Sequence, residues 1–167
     1  MEQRLRHVDL WVWRYLENER NYPGLHLTAR PESCAIVLDL LATLRAEGTG
    51  RKRTMNLRKL AAADEAKITG GQKYREFDKL HLMLVEPSED IGFMSATYTG
   101  GVVDLEFTPE YIAVFEDGIR DVARGRGDYS IAPPRKRRNN KKLPAKDRVS
   151  LDLWFWPCFG HLAPGLE

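Results

Sequence analysis

The chain has 167 residues, 43% hydrophobic and 30% charged, which is the size and balance of one globular domain able to bury its own core. That balance excludes extended disorder, and two cysteines, Cys34 and Cys158, are too few for a disulfide framework. No apolar run approaches the ~20 residues needed to span a bilayer, and the net charge of +2 hides an uneven distribution.

The expectation is a single domain over residues 1–167. Met1 to Arg6 carries no apolar signal region, so a cytoplasmic location is expected. His7 to Tyr15 alternates, with Val8, Leu10 and Val12 on one face and Asp9, Trp11, Trp13 and Tyr15 on the other, the pattern of a half-buried strand. Asn21-Tyr22-Pro23-Gly24 reads as a turn and Leu25 to Thr28 as a short return strand.

Pro31 to Glu47 reads as a helix. Pro31 suits its first position, Gly48 its end, and Cys34, Val37, Leu38, Leu41 and Leu44 recur along one face. Arg53 to Leu57 suggests a strand and Ala61 to Ile68 a short helix before Gly70-Gly71. Leu80, Leu82 and Leu84 alternate in a further strand. Ile91 to Tyr98 and Val102 to Phe107 flank Thr99-Gly100-Gly101 as a hairpin. A second main helix is expected over 109–124, capped by Thr108, with Tyr111, Val114, Phe115, Ile119 and Val122 as its buried stripe.

A basic segment follows. Arg135, Lys136, Arg137, Arg138, Lys141, Lys142, Lys146 and Arg148, against Asp147 alone, give it +7 and leave the rest of the chain at −5. Prolines bracket it, so residues 133–148 read as a basic loop free to move within the domain. Val149 to Trp156 closes the pattern as a last strand. Hairpins outnumber crossovers, which predicts an α+β fold: an antiparallel or mixed sheet of five to seven strands with two main helices on one face.

Two surfaces are candidates for function. Val8-Asp9-Leu10-Trp11-Val12-Trp13 closely matches Leu151-Asp152-Leu153-Trp154-Phe155-Trp156, and in both strands the tryptophans share the non-aliphatic face with an aspartate. If the strands lie side by side, Trp11, Trp13, Trp154 and Trp156 form one aromatic patch with Asp9 and Asp152 as polar anchors. Like-charge repulsion between the aspartates argues against in-register parallel pairing. Such a face is buried under another part of the chain, or joins a protein partner or second copy, or stacks on a small molecule. The leading expectation is therefore a non-catalytic binding or interaction protein working through that face.

The rival surface is the basic segment, where Arg135, Lys136, Arg137, Arg138, Lys141 and Lys142 would bind nucleic acid or another polyanion through phosphate neutralisation. It has no interleaved aromatic ring, which weakens a single-strand-binding reading, and a solvated, mobile connection before the last strand accounts for it more simply.

Local catalytic and metal motifs fail. Gly48 to Thr54 lacks phosphate-loop spacing and follows a helix, whose carbonyl end repels anions. Cys158 and His161 are half of a zinc site without a second pair. Cys34 lies on an apolar helix stripe, as an inert thiol does. No metal or cofactor is expected. An enzyme remains as a third reading only if residues such as His26, His81, Asp104 and Glu106 meet in space.

Overall fold

A computed structural model of the chain describes residues 8–18, 20–88, 92–132 and 151–157. In chain order the elements are β1 (Leu10–Tyr15), β2 (Leu25–Ala29), α1 (Pro31–Glu47), β3 (Lys52–Asn56), α2 (Ala62–Thr69) and β4 (Tyr74–Glu76). Then come β5 (Lys79–Leu84), β6 (Met94–Thr99), β7 (Val102–Phe107), α3 (Ile112–Ala123), β8 (Tyr129–Ile131) and β9 (Leu153–Phe155). The fold is α+β, as the alternation predicts.

The described strands divide between two mixed sheets. One has five strands in the order β4-β1-β2-β9-β8, the other four in the order β3-β5-β7-β6. The parallel pairs are β2 with β9 and β5 with β7; the other pairs are antiparallel. The sheets meet where the chain leaves β4 and enters β5. There the Phe77 N–H donates to the Val12 carbonyl, and the Leu57 N–H donates to the Asp78 carbonyl.

One core joins both sheets to α1 and α3. Leu10, Val12, Leu25, Leu27, Leu153 and Phe155 come from the first sheet; Leu80, Leu82, Val103, Leu105 and Phe107 come from the second. Helices α1 and α3 pack on each other, α1 over β3 and β5, α3 over β2 and β9. The predicted α1 stripe is buried except for Leu38, which is half-buried, and Cys34 is an interior thiol. Gly118 of α3 is needed for this packing, because a Cβ there would sit 2.2 Å from the Phe155 ring.

Two details of α3 depart from expectation. The helix begins at Ile112; Thr108 accepts through its carbonyl from the N–H groups of Tyr111 and Ile112, and its hydroxyl makes no cap bond. Val114 is exposed instead of buried, and Glu116 is buried in its place. Its carboxylate takes a hydrogen bond from Arg45 Nη2 at 3.0 Å, which ties α3 to α1.

Candidate functional site

The terminal strands are not neighbours: β2 lies between them. Antiparallel to β1 and parallel to β9, it sets Trp13 opposite His26 and His26 opposite Trp154. The row across the outer face of the five-stranded sheet therefore reads Glu76, Trp13, His26, Trp154, Ser130. Trp11 is level with Thr28, and carrying the β2–β9 register one step on sets Trp156 on the far side of Thr28. The Trp156 N–H donates to the Leu27 carbonyl at 2.8 Å, which fixes that end.

Five rings thus enclose one imidazole. His26 stacks between Trp13, at 5.5 Å between centroids, and Trp154, at 5.9 Å and nearly parallel. Tyr15 meets it edge-on at 4.8 Å and Trp156 at 6.0 Å. Tyr22, from the loop between β1 and β2, closes the group at 6.3 Å. His26 has no exposed surface, and burial pulls its pKa down to about 4, so at neutral pH it is an uncharged ring.

The polar atoms of this face are short of partners. Both nitrogens of His26, Thr28 Oγ1, and the indole nitrogens of Trp11, Trp13 and Trp156 are buried without a hydrogen-bond partner. Burial also raises the Tyr15 phenol above its ordinary pKa.

The four tryptophans do different work. Trp11 and Trp13 are buried in a second apolar cluster with Tyr15, under Leu60 and Ile68 from the α2 segment. Burial by another part of the chain is thus the correct account of that half of the face. Trp154 and Trp156 are only half-buried. The Trp154 indole N–H donates to the Pro23 carbonyl at 2.8 Å. Gly24 has φ +92° and packs so close to β9 that a Cβ would lie 2.3 Å from the Asp152 carbonyl, so only glycine fits.

The Asp9 side chain is engaged elsewhere, and Asp152 takes part through its backbone. The Asp9 carboxylate pairs with Arg58 at 3.0 Å and Arg30 at 3.5 Å, beside the start of α1. Asp152 accepts the Leu25 N–H through its carbonyl, which makes it part of the β2–β9 pairing. The feature that sequence reasoning missed is the centre of the group. His26 and Tyr22 complete it beside Tyr15, and only the hairpin register and the sheet order reveal those two.

Beside this face, a groove of about 460 Å³ is lined by Leu16, Lys59, Glu65, Lys73, Tyr74 and Glu76, among others. Three of its charged side chains have partners: Lys73 pairs with Glu17, Lys59 with Asp78 at 3.1 Å, and Glu76 accepts the Leu60 N–H at 2.5 Å. Burial, then Glu76 and Glu65, push the Tyr74 phenol up to about 12.

Of the residues that an enzyme would have to gather, the fold joins two. His81 Nδ1 and Asp104 Oδ1 lie 2.8 Å apart on the outer face of the four-stranded sheet, with Thr54 and Thr97 completing their cross-strand row. Glu106 is one step along β7's face, opposite Met83, while His26 is on the other sheet. The groove touches none of the four. Among the described residues no group of three or more His, Cys, Asp or Glu side chains could hold a metal. Arg135, Lys136, Arg137, Arg138, Lys141 and Lys142, together with Cys158 and His161, fall outside the described residues. No helix among the described residues is long and apolar enough to cross a membrane.

Comparison with known protein families, curated proteins and solved structures finds no match to this chain.

Proposed function

We propose that this protein is a non-catalytic binding protein whose site is the half of the aromatic face formed by Trp154, Trp156 and Tyr22, with His26 as its polar anchor. The supporting observation is the buried, uncharged imidazole with neither nitrogen paired to protein. A buried polar group without a partner costs about 1–3 kcal/mol, and native interiors rarely keep one without a use. A ligand with polar atoms on its edge would relieve that cost at the moment of binding. Half-buried indoles supply stacking area with little entropy to lose, which suits them as contacts. Trp11 and Trp13 serve this site as its wall, and Asp9 serves the fold.

The test is a small-molecule screen by thermal shift, followed by calorimetric titration of hits into the wild type and Trp154→Ala. Hits should bind the variant at least about tenfold more weakly, the equivalent of ~1.4 kcal/mol. Hits indifferent to the substitution would sink the proposal. So would an empty screen in which acrylamide quenching of tryptophan falls as protein concentration rises, an outcome that assigns the face to self-association.

A further inference from the structure

Tyr22 belongs to no strand, yet its ring contacts four members of the aromatic group: Trp154 at 5.7 Å, Trp156 at 5.8 Å, Tyr15 at 6.0 Å and His26 at 6.3 Å. Its hydroxyl bonds to no described residue. Its N–H donates to the Asn18 carbonyl at 3.0 Å, and the Asn21 and Asn18 side chains bond at 2.9 Å on the exposed side of the loop. The loop's ends are fixed independently of it. Leu16 N–H donates to Lys73, Pro23 accepts the Trp154 indole, and Gly24 is packed on Asp152. Among the described residues only ring contacts hold the phenol in place, and turning its side chain outward breaks no hydrogen bond to any of them.

We infer that Tyr22 occupies the ligand's own position, and that the ligand is a neutral planar heteroaromatic ring which displaces the phenol and lies over His26 against Trp154 and Trp156. This inference rests on the binding function proposed above and adds the ligand's chemistry and the gate it must pass.

Three ligand chemistries suit aromatic walls, and the polar atoms choose among them. A quaternary ammonium group would favour the ring faces but has no donor or acceptor for the imidazole. A sugar needs carboxylates or amides for its hydroxyls. The nearby acids are committed, Asp9 to Arg30 and Arg58 and Glu76 to the Leu60 N–H, and Asp152 is not free either. A charged ring would enter a site with no counter-charge among Tyr15, Tyr22, His26, Trp154 and Trp156, at a heavy desolvation cost. A neutral heteroaromatic ring matches what remains. It stacks as the phenol does, and its edge nitrogens and carbonyls can meet a neutral imidazole, which has one donor and one acceptor. The unpaired indole N–H of Trp156 adds a second donor nearby.

The experiment is calorimetric titration of adenine, uracil, choline and glucose into the wild type, Tyr22→Ala and Tyr22→Trp. At least one nucleobase should bind; removing the plug should tighten it roughly tenfold, and the larger plug should weaken it, because a closed gate lowers apparent affinity by the fraction closed. Opposite shifts in the two variants cannot both come from misfolding. Equal affinities in all three proteins, with Trp154→Ala still weakening binding, would overturn the gate and leave the binding face standing. Preference for choline or glucose, or no nucleobase binding to Tyr22→Ala at millimolar concentration, would overturn the ligand class.

Discussion

Each sheet carries a histidine at the middle of a cross-strand row on its outer face, and the two rows have opposite characters. In the five-stranded sheet, Trp13 and Trp154 flank His26, other rings roof it, and neither of its nitrogens is paired. In the four-stranded sheet, Thr54 and Asp104 flank His81, and the imidazole is bonded to the carboxylate at 2.8 Å with both side chains partly in solvent. The same residue in the same backbone setting is an apolar ring in one place and a surface polar group in the other. What decides is the neighbour one strand away and whether a third element covers the row. The α2 segment covers the first with Leu60 and Ile68. A histidine in an alternating strand therefore says little until its cross-strand partners are known.

The largest expected contrast lies in the flanking residues. Trp13→Ala removes a wholly buried indole and leaves a cavity beside His26, at a cost of about 3–5 kcal/mol. Thr54→Ala, the corresponding change beside His81, should stay within about 0.5 kcal/mol. Urea denaturation of both variants measures the difference, and similar losses would break the comparison.

A somewhat smaller effect is expected from pH. An unfolded histidine titrates near ~6.5, and burial takes folded His26 to about 4. Between these values the unfolded chain holds a proton that the folded chain does not. The folded state therefore loses stability as pH falls from ~6.5 towards ~4, by about 1.4 kcal/mol per unit and on the order of 3 kcal/mol in all. His26→Phe keeps the ring and should flatten that part of the profile. An unchanged slope in the variant would mean that His26 is reached by water and titrates freely.

How much of this could be read from the chain depends on the range of the interaction involved. Helix α1 was legible because Pro31 and Gly48 mark its ends within its own sequence. The tryptophans' shared side was legible because a strand alternates with period two. Strands β4 and β8 were not: three residues show no alternation, and these strands exist because β1 and β9 offer them edges. The insertion of β2 between the terminal strands was equally hidden, since nothing in Leu25 to Ala29 specifies a parallel partner at Leu153 to Phe155. Asp9 was misplaced for a similar reason. Its face of the strand was right, but Arg30 and Arg58 claim the carboxylate from two later segments. Tyr22 carried only a turn signal, and its place over His26 follows from the loop's anchoring by Trp154.

The smallest effect is expected at the second row, and its size is what makes it informative. Asp104→Asn keeps the side chain's shape and removes the charge paired with His81. The pair is partly solvated, with the two side chains 20% and 29% exposed, so water already competes for both groups. A surface pair of this kind contributes about 0–1 kcal/mol. The expected loss in urea is therefore below ~1 kcal/mol, with the tryptophan emission unchanged because no indole lies in that row. A loss of several kcal/mol would require the pair to be desolvated in solution. The four-stranded sheet's outer face would then be covered, and the contrast between an occupied aromatic face and an open polar one would give way to two covered faces.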